Sequence, residues 1–157
     1  MTAVLAISAT PLRAAFVLNP SFESNWNPTY PHYGSIDSWT GGSGVNDRSL
    51  DRRGPFHDNG FTPDGNRVAF KQQTGDLSQD ITGLTVGQLY WIQFYYNTRG
   101  ELSGTCDITT RFAGTNLDSV TGIQRVTAPE GTNAITVPFY AHSVPFVAEA
   151  EIGRAHV

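Results

Sequence analysis

Tyr90-Trp91-Ile92-Gln93-Phe94-Tyr95-Tyr96-Asn97 is the stretch on which the fold turns. Side chains alternate across an extended strand, so Tyr90, Ile92, Phe94 and Tyr96 share one face and Trp91, Gln93, Tyr95 and Asn97 the other. Aromatic and β-branched residues favour a pleated, half-buried surface, and no 3.6-residue apolar stripe runs through the segment. Working outward, alternation returns at Arg67–Lys71, with Val68 and Phe70 inward, at Leu77–Ile81, and at Cys106–Phe112, with Ile108, Thr110 and Phe112 on one face. Phe16–Leu18, Ile36–Trp39, Val120–Val126, Ala134–Tyr140 and Val144–Glu149 are further strand candidates. Residues 24–66 otherwise read as loop, rich in Asn, Pro, Gly, Asp and Ser. Short strands separated by Gly-bearing turns predict an all-β chain, an antiparallel β-sandwich.

Composition narrows the function. The 157 residues hold 10 basic and 14 acidic groups, a net charge of −4, and only 15% are charged. Without a basic cluster to neutralise phosphates, nucleic acid is disfavoured as a partner. No apolar run approaches the roughly 18 residues of a membrane-spanning helix. The single cysteine, Cys106, excludes an internal disulfide and a cysteine-based zinc site, and reads as a small buried hydrophobe. Residues 1–15 resemble the tail of a secretory signal peptide cleaved near Ala14 or Ala15, which predicts a secreted protein. The last seven residues, Glu151–Val157 (EIGRAHV), are what an in-frame read through a common sequencing-adapter oligonucleotide encodes. They are expected to be a non-native tail on a truncated domain of residues 16–150.

Two blocks carry a family resemblance. Asn19-Pro20-Ser21-Phe22-Glu23 is similar to the N-G-x-F-E opening of jelly-roll carbohydrate-binding modules of the galactose-binding-like superfamily. Leu77-Ser78-Gln79-Asp80-Ile81-Thr82-Gly83-Leu84, followed by Gly87-Gln88-Leu89-Tyr90, resembles a second block of the same bacterial secreted domains. Trp39 stands where such domains have a Gly-Trp strand. The resemblance covers about residues 16–149. It departs at Pro20, where the family has glycine, and in the absence of the family's last, acidic strand. It implies a jelly roll of eight or more strands, carbohydrate binding, and one structural Ca2+ with Glu23 among its ligands. A single carboxylate is not a calcium site, and a glutamate capping turn amides is an equal reading of Glu23. His57-Asp58-Asn59 with Asp64 lacks the register of an EF-hand loop.

Sugar binding requires aromatic rings against pyranose C–H faces and planar amides or guanidinium groups for hydroxyls. The stripe Trp91, Gln93, Tyr95, Asn97 supplies both, and Arg99, Asp107 and Arg111 are expected to join it from adjacent strands. Trp26, Tyr30, His32, Tyr33, Phe56 and His57 are expected to form a loop rim. The equal alternative is that Trp91 and Tyr95 pack beneath residues 24–66 as a second small core. Hydrolysis finds little support. No spacing pairs the carboxylates as a glycosidase requires, and no G-x-S-x-G or H-E-x-x-H motif occurs. The sequence therefore predicts a non-catalytic, extracellular glycan-binding module. Its rival is a structural or adhesion domain of a larger secreted surface protein, with a hydrolase fragment a distant third.

Overall fold

The computed structural model describes residues 17–25, 29–47, 62–97, 105–124 and 139–157. Among them are ten strands and no helix: β1 (His32–Tyr33), β2 (Thr40–Gly41), β3 (Gly44–Asp47), β4 (Arg67–Phe70), β5 (Leu77–Thr82), β6 (Leu89–Tyr96), β7 (Thr105–Phe112), β8 (Thr115–Gln124), β9 (Tyr140–Val147) and β10 (Ile152–His156). Every pairing is antiparallel. The strands form a three-stranded sheet in the order β1-β3-β4, a five-stranded sheet in the order β2-β5-β10-β7-β8, and a ribbon of β6 and β9.

The ribbon packs against the five-stranded sheet, as the layers of a β-sandwich do. Ile81, Phe112, Phe146, Leu84 and Ala148 form the buried core, with Tyr90, Ile92, Leu117 and Ala155 half-buried around it. The Phe112 and Phe146 ring centroids, one from each layer, lie 4.1 Å apart, and Tyr90 stacks on Phe146 at 5.8 Å. Farther along the ribbon, His142 sits edge-on to Phe94 at 5.2 Å, with its Nε2 3.2 Å from an Asp118 carboxylate oxygen of β8.

Strand alternation holds where the sequence showed it most clearly. In β6, Tyr90, Ile92, Phe94 and Tyr96 are half-buried while Leu89, Trp91, Gln93 and Tyr95 are exposed. Asn97, expected on the outward face, is half-buried just beyond the strand and already has an interaction partner. In β7, Thr110 and Phe112 are buried as expected. The β7–β8 hairpin turns on Ala113 and Gly114, both at positive φ (48° and 83°), as a two-residue loop requires when it follows the twist of its strands. The strand therefore restarts at Thr115, five residues before the expected Val120, and is described as far as Gln124; Arg125 and Val126 lie outside the described residues.

Four expectations need correction. Val17 and Leu18 are not in a strand; Leu18 is held by the Gln79 side chain, whose carbonyl oxygen accepts its N–H and whose amide donates to its carbonyl. Ile36–Trp39 is a turn, closed by Trp39 N–H donating to the Ile36 carbonyl with Ser38 at φ 69°, and the strand begins at Thr40. The segment read as loop contains β1 and β3; β3, Gly-Val-Asn-Asp, is buried along its whole length, which its polar composition conceals. Arg67, expected outward, is only 11% exposed at its side chain and is absorbed into an ion cluster. The candidate strand Ala134–Tyr140 lies outside the described residues except for its last two positions, and Tyr140 opens β9.

Residues 152–156 occupy the middle of the five-stranded sheet. Ile152 to His156 run opposite Thr82 to Ser78 of β5, while Ala155 and His156 face Phe112 and Arg111 of β7. Gly153 and Ala155 point inward and Arg154 outward, where its guanidinium grips Asp80 by two bonds of 2.6 and 3.0 Å. That hydrogen bonding holds the Asp80 carboxyl below its ordinary range, but the pair is solvent-exposed and screened, so it contributes little to stability.

Candidate functional site

Among the described residues, the outward face of the β6–β9 ribbon gathers the exposed side chains of Leu89, Trp91, Tyr95 and Val147. Its positions pair across the strands as Leu89 with Val147, Trp91 with Pro145, Gln93 with Ser143, and Tyr95 with Ala141. The bond from Ala148 N–H to the Gln88 carbonyl sets the parity of the ladder, making these four the non-hydrogen-bonded pairs, where opposite side chains approach most closely. Pro145 thus lies where its missing N–H costs the β6–β9 ladder nothing. Trp91 is 56% exposed and Tyr95 60%, so neither is packed beneath the described residues of the 24–66 segment as a second core. Gln93 bridges the strands between them, its amide donating to the Ser143 hydroxyl at 3.2 Å. Among the described residues neither the Trp91 indole N–H nor the Tyr95 hydroxyl has an intramolecular partner, so both polar tips are available. The β9 half of this face was missed in the sequence. Val144 and Phe146 mark the inward side of a strand, but only the pairing shows that Ser143 and Pro145 stand beside Gln93 and Trp91.

The other sequence candidates lie elsewhere. Arg111 is on β7 in the opposite sheet, ion-paired with Asp76, whose other carboxylate oxygen lies 3.4 Å from His156 Nδ1. Asp107, also on β7, accepts the Gly122 N–H at 2.7 Å. Neither is on a strand adjacent to β6, because β6 pairs with β9, so the expected joining of these residues to the stripe is not what the topology provides. Tyr33, on β1, is exposed; its hydroxyl accepts from the Gln72 amide at 3.0 Å and its ring meets Phe70 edge-on. It lies on the three-stranded sheet with Phe70 rather than on the ribbon face. Tyr30 is half-buried, its hydroxyl donating to the Asn25 carbonyl at 2.6 Å beneath the Arg67 guanidinium. Arg99, His57, Trp26 and Phe56 lie outside the described residues.

Both blocks that carry the family resemblance serve the scaffold. Asn19 ties its turn together, donating to Asn25 and to the Asp37 carbonyl and accepting from Ser24 N–H. Its own carbonyl receives the Trp39 indole N–H, and Phe22 packs on Trp39. In the second block Gln79 is buried and holds Leu18 and Ser38, Ile81 and Leu84 fill the core, and Tyr90 accepts the Thr85 N–H.

Glu23 closes a polar knot. One carboxylate oxygen accepts the Asn66 and Arg67 N–H groups at 2.7 and 2.8 Å, and the other lies 3.5 Å from the Arg67 guanidinium. Arg67 also donates to the Glu23 carbonyl and pairs with buried Asp47 at 3.1 Å. Calcium needs six to eight oxygens aimed at one centre. Here the oxygens aim at N–H donors, a guanidinium stands among them, and no group of three metal-ligating side chains forms among the described residues. Among the described residues the Glu23 oxygens are thus engaged by two backbone N–H groups and a guanidinium. Glu23→Ala is expected to lower stability by about 0.5–1.5 kcal/mol, the net worth of hydrogen bonds that remain open to water once their acceptor is removed. Thermal melts of the wild type should coincide in calcium and in EGTA; a calcium-dependent rise would restore Glu23 as a ligand.

No family model, curated protein or solved structure matches the chain. No helix among the described residues is long and apolar enough to cross a membrane.

Proposed function

We propose that the chain is a non-catalytic, secreted carbohydrate-binding module of the jelly-roll, galactose-binding-like type, and that the outward β6–β9 face is its binding platform. The observation that carries this reading is the exposure of Trp91 and Tyr95 on one face, on either side of the Gln93–Ser143 pair. Rings of this kind stack on the C–H face of a pyranose while amide and hydroxyl groups meet its hydroxyls. The face carries no carboxylate at any of its eight positions, so it offers no acid–base pair for glycoside cleavage.

Pull-down on insoluble polysaccharides should retain the wild type and release Trp91→Ala, with affinity reduced about tenfold, the equivalent of some 1.4 kcal/mol of lost stacking. Trp91 is exposed, so the variant should melt at the wild-type temperature. Equal retention of the two proteins, or retention of neither, would defeat the reading. The exposed aliphatics Leu89 and Val147 at one end of the face favour a second reading, an adhesion or spacer domain that packs this face on another protein. That reading predicts no retention on any polysaccharide.

A further inference from the structure

Resting on the carbohydrate reading, we infer that the ligand is an uncharged polysaccharide chain, longer than one sugar, and not an anionic glycan. Three observations point the same way. None of the eight outward residues of the ribbon (Leu89, Trp91, Gln93, Tyr95 and their partners Val147, Pro145, Ser143 and Ala141) carries a formal charge. The cationic side chains of the described residues are all engaged away from this face: Arg67 by Asp47 and Glu23, Arg111 by Asp76, Arg154 by Asp80, and Lys71 by the Gly42 carbonyl. The chain as a whole carries −4, so a polyanion approaches against a repulsive field and, among the described residues, meets no cation on this face to offset it.

Length follows from strand geometry. Trp91 and Tyr95 are four residues apart on β6, about 13 Å at the rise of an antiparallel strand. No single pyranose reaches from one ring to the other, whereas a chain laid along the ribbon stacks on both and passes over the Gln93–Ser143 bridge. Selectivity for such a ligand comes from the pitch of the two rings and from the amide and hydroxyl between them.

The test is a binding series with the full chain. The probes are neutral polysaccharides (cellulose, chitin and mannan), the polyanions polygalacturonate and alginate, and the corresponding single sugars as competitors. Salt is varied between about 0.01 and about 1 M NaCl, which shrinks the Debye length from about 30 to about 3 Å. The expected result is retention on at least one neutral chain, changing less than about twofold across the salt range, because no charge pair contributes. Tyr95→Ala should weaken it about as much as Trp91→Ala, and single sugars should fail to displace it. Retention on a polyanion that fades with salt, or displacement by one sugar as readily as by a chain, overturns the inference and leaves the carbohydrate reading standing. Retention on none of the probes overturns the carbohydrate reading itself.

Discussion

Removing residues 151–157 is expected to abolish soluble, monomeric protein. β10 lies between β5 and β7, and its loss divides the five-stranded sheet into β2-β5 on one side and β7-β8 on the other. Besides the ladder, it takes away both bonds between Leu77 and Val157 (each 3.0 Å), the bond from Leu84 N–H to the Glu151 carbonyl, and that from Ala113 N–H to the Arg154 carbonyl. Two-stranded remnants are marginal alone in water, and β5 and β7 would present open edges to other chains. The demands on the sequence of this strand are modest, since pairing is a backbone property. Inward, it must place small residues under Phe112, as Gly153 and Ala155 do; outward, it offers Arg154 to Asp80. Size-exclusion chromatography and thermal melting of the 1–150 chain beside the full chain test this. A shorter chain that stayed monodisperse and melted cooperatively at the same temperature would show that β5 and β7 do not depend on β10.

The parts of this architecture legible in the sequence are those where burial alternates with period two. β6 is the clearest case, because its inward aromatics meet a core and its outward residues meet none, so each position records its face. Pattern fails where burial has no period. β3 is buried at every residue, and its Asn46 and Asp47 look like loop chemistry until Arg67 is seen to pair with Asp47. Ile36 is fully buried from a turn, which periodicity has no means of showing. The candidate site divides along the same line. Trp91, Gln93 and Tyr95 are found by alternation within one strand. Their neighbours Ser143 and Pro145, some fifty residues on, enter only through strand pairing, which is a long-range choice that local pattern does not encode. The same limit explains Arg111: its outward position in β7 is readable, but not that β7 belongs to the other layer.

The second large effect is expected at the contact between Phe112 and Gly153, and it is best measured as a double-mutant cycle. Phe112 is buried with its ring against Phe146 of the opposite layer, so Phe112→Ala should cost about 3–5 kcal/mol through lost burial and the cavity left behind. Gly153 lies directly beneath the same ring, and a Cβ there would overlap the ring edge. Since Phe112 is wedged between Gly153 and Phe146, it has little room to retreat, and Gly153→Ala should cost about 1–3 kcal/mol by overpacking. The two costs share one volume. Once Phe112 is truncated, the methyl group that Gly153→Ala adds enters the vacated space, so the double variant should be more stable than the sum of the single effects by at least about 1 kcal/mol. Denaturant midpoints of the four proteins, at a common slope, give this coupling directly. Strict additivity would mean that Gly153 is not seated under Phe112, and β10 would then lose its place between β5 and β7. Coupling of the expected sign would fix the register of the last strand by a side-chain contact, independently of the backbone bonds that removal of the strand destroys.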